Sequence, residues 1–258
     1  AINLWSGPGY PLLLAPFIWL DTPCVGLRLL NAALLVGMVL YVRALLAVFL
    51  PRPRADRWAC AVGLYPPFLY HLPFVLTETL AVFLIAGFAY HLCCAERAEA
   101  RWPAHGVGAA LCFAGLALTK VLFGYVLVAG VVVVLLVRWE RPRARWRALA
   151  VFVGALFLCS PYLVYTYRMT GKVFYWSNAG GLQLYWMTSP FAGDLGDWHS
   201  PERVAATPAL RENHGAFFDR LARLPDAIAR DDALKQKAIE YLRARSEERR
   251  VGKECATG

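Results

Sequence analysis

Charge is scarce in this sequence: Asp, Glu, Lys and Arg make up 17% of its 258 residues, where a soluble domain carries about 25%. That scarcity excludes an ordinary soluble enzyme, and a hydrophobic fraction of 59% excludes a disordered chain. The seven cysteines form no Cys-x-x-Cys pair and have no histidine spacing that would make a zinc site. Cys60, Cys93, Cys94, Cys112 and Cys159 lie inside apolar blocks, where cysteine acts as a small hydrophobe. Neither a disulfide framework nor a metal site is expected. Gly-x-Ser-x-Gly and His-Glu-x-x-His are missing, and Gly106-Val107-Gly108 follows no strand, so a dinucleotide loop is excluded.

What is present is long apolar sequence. Mean hydropathy is +0.45, and the excess lies between residues 10 and 165 in blocks cut by short basic clusters. The net charge of +9 comes from those clusters. They punctuate apolar spans instead of forming one stripe, which points to membrane topology and away from nucleic acid as a partner.

Crossing about 30 Å of hydrocarbon takes about 20 apolar residues. Tyr10 to Leu20 has only 11 between Pro8-Gly9 and Asp21-Thr22-Pro23, so it fits an interfacial or re-entrant helix. Six spans follow. The first is Cys24 to Leu50, with its apolar heart between Arg28 and Arg43. The second, Trp58 to Leu76, contains Pro66, Pro67 and Pro73 and must be kinked, with freed carbonyls satisfied by neighbouring helices. The others are Leu80 to Ala95, Gly106 to Thr119, Val121 to Val137 and Ala148 to Tyr165. The loops at 52–57, 96–101 and 138–147 hold ten Arg, whereas the opposite loops hold Lys120, Arg168 and Lys172. The positive-inside rule assigns the Arg-rich set to the cytoplasm. Glu78, Lys120 and everything after Arg168 then face outside, the periplasm if the membrane is a bacterial inner membrane.

The expected fold is therefore all-α: a polytopic membrane helix bundle of about six transmembrane helices, an N-terminal interfacial helix, and a small helical external C-terminal extension. Its expected parts are an external opening segment at 1–23, the transmembrane bundle at 24–168 and the polar extension at 169–244. In the extension, Asn178-Ala179-Gly180-Gly181 is a turn signal. Short helices are expected at Pro201 to Arg203, Ala216 to Ala222 and Asp231 to Ala244, the last capped by Asp231 or Asp232. Residues 245–258, Arg-Ser-Glu-Glu-Arg-Arg-Val-Gly-Lys-Glu-Cys-Ala-Thr-Gly, read as the in-frame translation of a sequencing adapter and are set apart from the fold. With Ala first and no signal peptide in view, the true N-terminus is expected to lie upstream.

A carboxylate at a membrane edge is costly unless paired or functional. Glu78 in Leu76-Thr77-Glu78-Thr79-Leu80 is either part of a helix cap, with Thr77 as N-cap, or a carboxylate that organises an acceptor, a metal ion or a headgroup. Lys120 is either an interfacial anchor or a point charge for a lipid phosphate. Arg168 and Lys172 carry the same two readings. His71 and His91 lie in spans, where a lone histidine is ordinarily a packing residue.

Taken in order, several motifs carry a resemblance. They are Gly7-Pro8-Gly9-Tyr10-Pro11, Arg28-Leu29-Leu30-Asn31-Ala32, Leu64-Tyr65-Pro66-Pro67, Leu76-Thr77-Glu78-Thr79-Leu80, Gly115-Leu116-Ala117-Leu118-Thr119-Lys120, Ser160-Pro161-Tyr162 and Ser177-Asn178-Ala179-Gly180-Gly181-Leu182. Over residues 5 to 244 the series resembles the GT-C membrane glycosyltransferases. It is most similar to the family 39-like group that includes protein O-mannosyltransferases and lipid A aminoarabinose transferases. The resemblance implies a polyprenyl-phosphate-linked sugar donor, a lipid, glycan or protein acceptor, and inverting transfer at the external face. It implies no cofactor and leaves a divalent metal open. It matches Glu78 to the family's second external acidic site, nominated here as catalytic. Lys120 matches its Thr-Arg or Thr-Lys site, and Tyr10 its helix beside the lipid phosphate. Tyr10, Lys120, Arg168 and Asn178 are the candidate substrate-binding residues. The family's general-base Asp is expected upstream of residue 1. One departure is Tyr165-Thr166-Tyr167, where the family often has Arg-Asn-Tyr. A transporter with sites on broken helices and a non-catalytic membrane scaffold remain alternatives.

Overall fold

The structure, a computed structural model, describes residues 4, 7–97, 101–137, 140–191, 193–194 and 196–256, with side chains described to residue 246. Every regular element among the described residues is a helix. The first eight are α1 (Gly9–Trp19), α2 (Cys24–Leu46), α3 (Arg52–Gly63), α4 (Pro66–His71), α5 (Thr77–Arg97), α6 (Trp102–Thr119), α7 (Leu122–Leu136) and α8 (Pro142–Thr170). Then come α9 (Gly180–Met187), α10 (Pro201–Ala206), α11 (Pro208–Ala222) and α12 (Ala227–Ala256). The chain divides into two compact units, Ser6–Trp176 and Ala1–Trp5 with Ser177–Gly258.

The first unit is a membrane bundle. α2, α5, α6 and α8 are each long and apolar enough to span. The expected count of six needs correction at two places. Among the described residues, the second span does not run as one helix from Trp58 to Leu76. It is α3 and α4, separated at Leu64-Tyr65, because Pro66 and Pro67 supply no N–H to continue the ladder of α3. The fifth, α7, has 15 residues, about 22 Å at 1.5 Å per residue, short of the hydrocarbon thickness.

The broken pair still runs antiparallel to α2. At one end Arg43 Nε donates to Asp56 Oδ1 at 2.6 Å. At the other, Asn31 Nδ2 donates to the carbonyls of Phe74 at 2.8 Å and Leu72 at 3.4 Å. A carbonyl freed by a helix break needs a donor where water is scarce, and the side chain of Asn31 is that donor. The basic clusters gather at the Arg43 end. Arg97 donates to the Val48 carbonyl at 3.0 Å and lies over the Phe49 ring, and Arg147 lies over Trp102. Glu78 opens the 21-residue α5 and Arg97 closes it, so they stand about 30 Å apart along one helix.

Inside the bundle the core is small-residue. Ala109, Ala117, Ala155 and Cys159 are fully buried between α6 and α8, with Phe113, Leu116 and Leu127 filling the remainder. Large apolar side chains point outward: Trp19, Val36, Leu40, Leu136 and Phe157 are exposed. Outward leucines and inward alanines describe a surface whose solvent is lipid, because close backbone approach drives helix association there. After α8, Gly171 at φ +68° ends the helix. The chain then returns to the bundle at Trp176, whose carbonyl accepts from Tyr162 Oη at 2.6 Å.

The second unit has the opposite interior. Leu182, Tyr185 and Trp186 of α9 pack with Val204, Leu210, Phe218, Leu221 and Leu234. Asp231 is not an N-cap. It lies within α12, buried, where it accepts from Gly181 N at 2.6 Å and from Lys235 Nζ at 2.5 Å. The cap is Asp226, whose Oδ1 accepts from Ile228 N and Ala229 N. A Cβ at Gly181 would strike Asp231, so that position takes glycine alone. His214 links Tyr185 Oη at 2.6 Å to Asp194 Oδ2 at 3.1 Å. Burial pushes the Tyr185 hydroxyl well above its ordinary pKa, and Tyr241 and the Asp194 charge push it the same way.

Candidate functional site in the membrane bundle

The end of the bundle opposite the arginines carries a polar cluster. α6 terminates at Thr119, whose hydroxyl folds back to the Gly115 carbonyl at 2.7 Å. The next residue, Lys120, leaves the helix in an extended conformation. Its Nζ reaches Glu78 Oε1 at 2.8 Å, and Thr77 Oγ1 lies 3.4 Å from Glu78 Oε2. Both partners of the ion pair are half-buried. The two residues are 42 apart in sequence, and they meet because α5 and α6 are antiparallel neighbours joined at their other ends. An ammonium has three donors, so one bond to Glu78 leaves two for a ligand.

Tyr10 stands at the same end. Its hydroxyl donates to Asn31 Oδ1 at 3.2 Å, so the Asn31 amide holds α1, α2 and the strand of chain after α4 in one network. α1 docks on the end of α6 through Gly9, where a Cβ would meet Thr119 Oγ1 at 2.5 Å and the adjacent backbone at 2.9 Å. Tyr10 and Lys120 are thereby tied to the same turn of chain.

The structure brings Tyr10, Glu78 and Lys120 to one end of the first unit. Arg168 is in the last turn of α8, exposed, with no hydrogen bond or ion pair among the described residues. Lys172 lies 5.3 Å from the Tyr175 ring centre. Asn178 belongs to the second unit, where its N–H donates to the Leu4 carbonyl at 3.1 Å and its buried Oδ1 has no hydrogen-bond partner among the described residues.

Two residues of this end carry more than their sequence context indicated. Asn31 is fully buried; as the one amide side chain of the 23-residue α2, it had a readable signal, since a polar side chain in a span ordinarily bonds another helix. His71 closes α4 and, with Glu78, lines a cavity of about 230 Å³ whose other walls are Leu35, Pro67, Phe68, Thr79 and Val82. Its Nδ1 is buried without a hydrogen-bond partner among the described residues. A packing role fits that atom poorly, because an orphaned buried polar atom is costly. Nothing in the sequence around His71 distinguished it from His91, which finds a ring partner in His105 at 3.1 Å.

Among the described residues no group of three or more His, Cys, Asp or Glu side chains gathers to hold a metal ion. Compared with protein-family models, curated proteins and solved structures, the chain has no significant match.

Proposed function

We propose that the protein is a membrane glycosyltransferase that moves a sugar from a polyprenyl-phosphate-linked donor to an acceptor at the outer face of the bilayer. The observation that carries the reading is the Lys120–Glu78 pair at 2.8 Å, at the end of the bundle opposite the basic clusters. With the Arg-rich end taken as cytoplasmic, the pair lies at the level of the outer headgroups. A donor of this class combines an apolar tail that stays in lipid with a phosphate that needs a fixed cation at headgroup depth. Lys120 supplies that cation and Glu78 holds it in place, while Tyr10 and Asn31 tie α1 to the same end. In the transfer, the acceptor hydroxyl gives its proton to a general base, its oxygen bonds to the sugar's anomeric carbon, and the bond from that carbon to the phosphate oxygen breaks. The departing lipid phosphate gains charge that Lys120 neutralises. The acceptor is a lipid, glycan or protein hydroxyl, and the setting is a bacterial inner membrane with Ser177–Gly258 on the periplasmic side.

The test is release of undecaprenyl phosphate from undecaprenyl-phosphate-linked hexoses in proteoliposomes, using the longest reading frame that contains this chain. Lys120→Ala is expected to lower release by at least about a hundredfold, the scale of losing one charge-stabilising group. Glu78→Gln is expected to lower it less, and both variants keep normal membrane insertion. Wild-type turnover in both variants removes the pair from the reaction. Saturable solute uptake without any release favours the transporter reading, which draws on the broken α3–α4 segment.

A further inference from the structure

The arginines at the basic end of the bundle are not equally engaged. Arg43 is bonded to Asp56 at 2.6 Å. Arg97 donates to the Val48 carbonyl and Arg145 to the Leu135 carbonyl, each at 3.0 Å. Arg54 and Arg57 of α3 differ. Arg54 makes no hydrogen bond or ion pair among the described residues. Arg57 uses only its Nε, which donates to the Pro53 carbonyl at 3.2 Å, and its two terminal nitrogens keep their N–H donors for a ligand. Both side chains line a cleft of about 410 Å³ together with Trp58 and Ala61. Steps of three, four and seven residues from Arg54 put these four on one face of α3, and all four are exposed. Ala55 and Ala59, on a different face, are buried, and α3 packs on α2.

We propose that this cleft is a site for one anionic phospholipid of the cytoplasmic leaflet, with the lipid phosphate on Arg54 and Arg57 and the start of an acyl chain beside Trp58 and Ala61. Three observations select that class. The order of groups along α3 is that of a phospholipid read from the water inward. Two guanidinium groups, whose forked donors match phosphate oxygens, come first. A tryptophan follows at headgroup level. Ala61 then lies about 10 Å deeper than Arg54, and the exposed Leu64 continues the apolar path. Secondly, no carboxylate lines the cleft, and the neighbouring Asp56 is held by Arg43. The ammonium of a zwitterionic lipid finds no counter-charge there, whereas an anionic headgroup meets two cations. Thirdly, the methyl side chain of Ala61 leaves room that a larger residue would fill. The volume lies within the roughly 300–1,000 Å³ of sites that hold a single small molecule, so the cleft takes one lipid. The site stands at the opposite end of the bundle from Lys120 and Glu78, and it does not depend on the sugar transfer proposed above.

The experiment is native mass spectrometry of the full chain released from vesicles of phosphatidylglycerol and phosphatidylcholine in equal amounts, with matched acyl chains. One phosphatidylglycerol is expected to stay on each chain, with a preference over phosphatidylcholine of about thirtyfold, the scale of two arginines beside an anionic headgroup. Arg54→Gln combined with Arg57→Gln is expected to abolish the preference. Ala61→Leu leaves the charge unchanged and is expected to lower retention about tenfold by filling the cleft. Arg52→Gln, outside the cleft, leaves retention unchanged, and millimolar inorganic phosphate does not displace the lipid. Equal retention of the two lipids marks an ordinary lipid belt and overturns the proposal. Displacement by inorganic phosphate overturns it in favour of a site for a small anion. Undiminished retention in Ala61→Leu places the lipid elsewhere, and a loss in Arg52→Gln as large as that of the double variant reduces the effect to diffuse charge; either result overturns the cleft as the site. The competition between the two lipids and the Ala61→Leu variant leave every arginine in place, so they decide the matter even if the arginine variants insert wrongly.

Discussion

The bundle and the C-terminal unit build their interiors differently. In Ser6–Trp176 the fully buried positions include Ala55, Ala109, Ala117, Ala155 and Cys159, while Trp19, Leu136 and Phe157 are more than 70% exposed. In the other unit Tyr185 and Trp186 are buried to within 1% and packed on Phe218. In water, removing a large apolar side chain from solvent drives folding. In lipid that gain vanishes, and close contact between small residues takes its place. Small residues therefore line much of the helix contact in one unit, and large aromatics fill the interior of the other.

The contrast breaks most sharply at Trp186. Trp186→Ala is expected to cost the C-terminal unit about 3–5 kcal/mol, read as a lowered urea midpoint of protease resistance in the reconstituted chain. His214→Ala comes next. It leaves the Tyr185 hydroxyl and the Asp194 carboxylate without their shared partner, and about 1–3 kcal/mol is expected to be lost by the same assay. Asn31→Leu, in the bundle, removes bonds to Tyr10, Leu72 and Phe74. Because such bonds average about 0.6 kcal/mol in membranes, a loss of roughly 1–2 kcal/mol is expected in detergent unfolding.

Alkaline pH separates the units without mutation. The Tyr185 pKa is raised in the folded unit, chiefly by burial, so the unfolded chain loses that proton first. Stability contributed by the neutral hydroxyl is complete below about pH 10, the ordinary tyrosine value. It falls as pH rises above that. Hydrogen exchange is expected to report loss of α9 protection above that pH in the wild type, and a weaker dependence in Tyr185→Phe. The smallest effect belongs to the lipid face: Leu136→Ala is expected to change bundle stability by less than about 0.5 kcal/mol, because its side chain is exposed. A loss as large as that of Trp186→Ala would mean that α7 faces water or another protein, and the comparison between the units would fail.

Much of the fold was legible because hydropathy and length are local. The 11-residue opening helix, the four long spans and the basic punctuation all follow from runs of residue type. The three prolines of the second span indicate one kinked helix, and the structure has two, α3 and α4. A kink and a full break look alike in sequence, and what separates them here is whether the Asn31 amide stands ready to donate to the freed carbonyls. Asp231 was misread for a related reason. An Asp before an apolar helical stretch is a cap by pattern, but the Gly181 N–H and Lys235 compete for it inside the folded unit. Of the candidate site, Glu78 and Lys120 stood out as polar residues at span edges and Tyr10 came only from the family resemblance, whereas the cavity beside His71 left no trace in the sequence.

Sequence alone determined that this chain is a helical membrane protein, because only helices satisfy every backbone group within a single segment in lipid. It also determined which ends of the helices carry the arginines. The tertiary structure decided that Lys120 meets Glu78 and that Asn31 closes the broken helix. Those are meetings between residues about 40 apart in the chain. They depend on how antiparallel helices align across the bilayer, which no local pattern encodes.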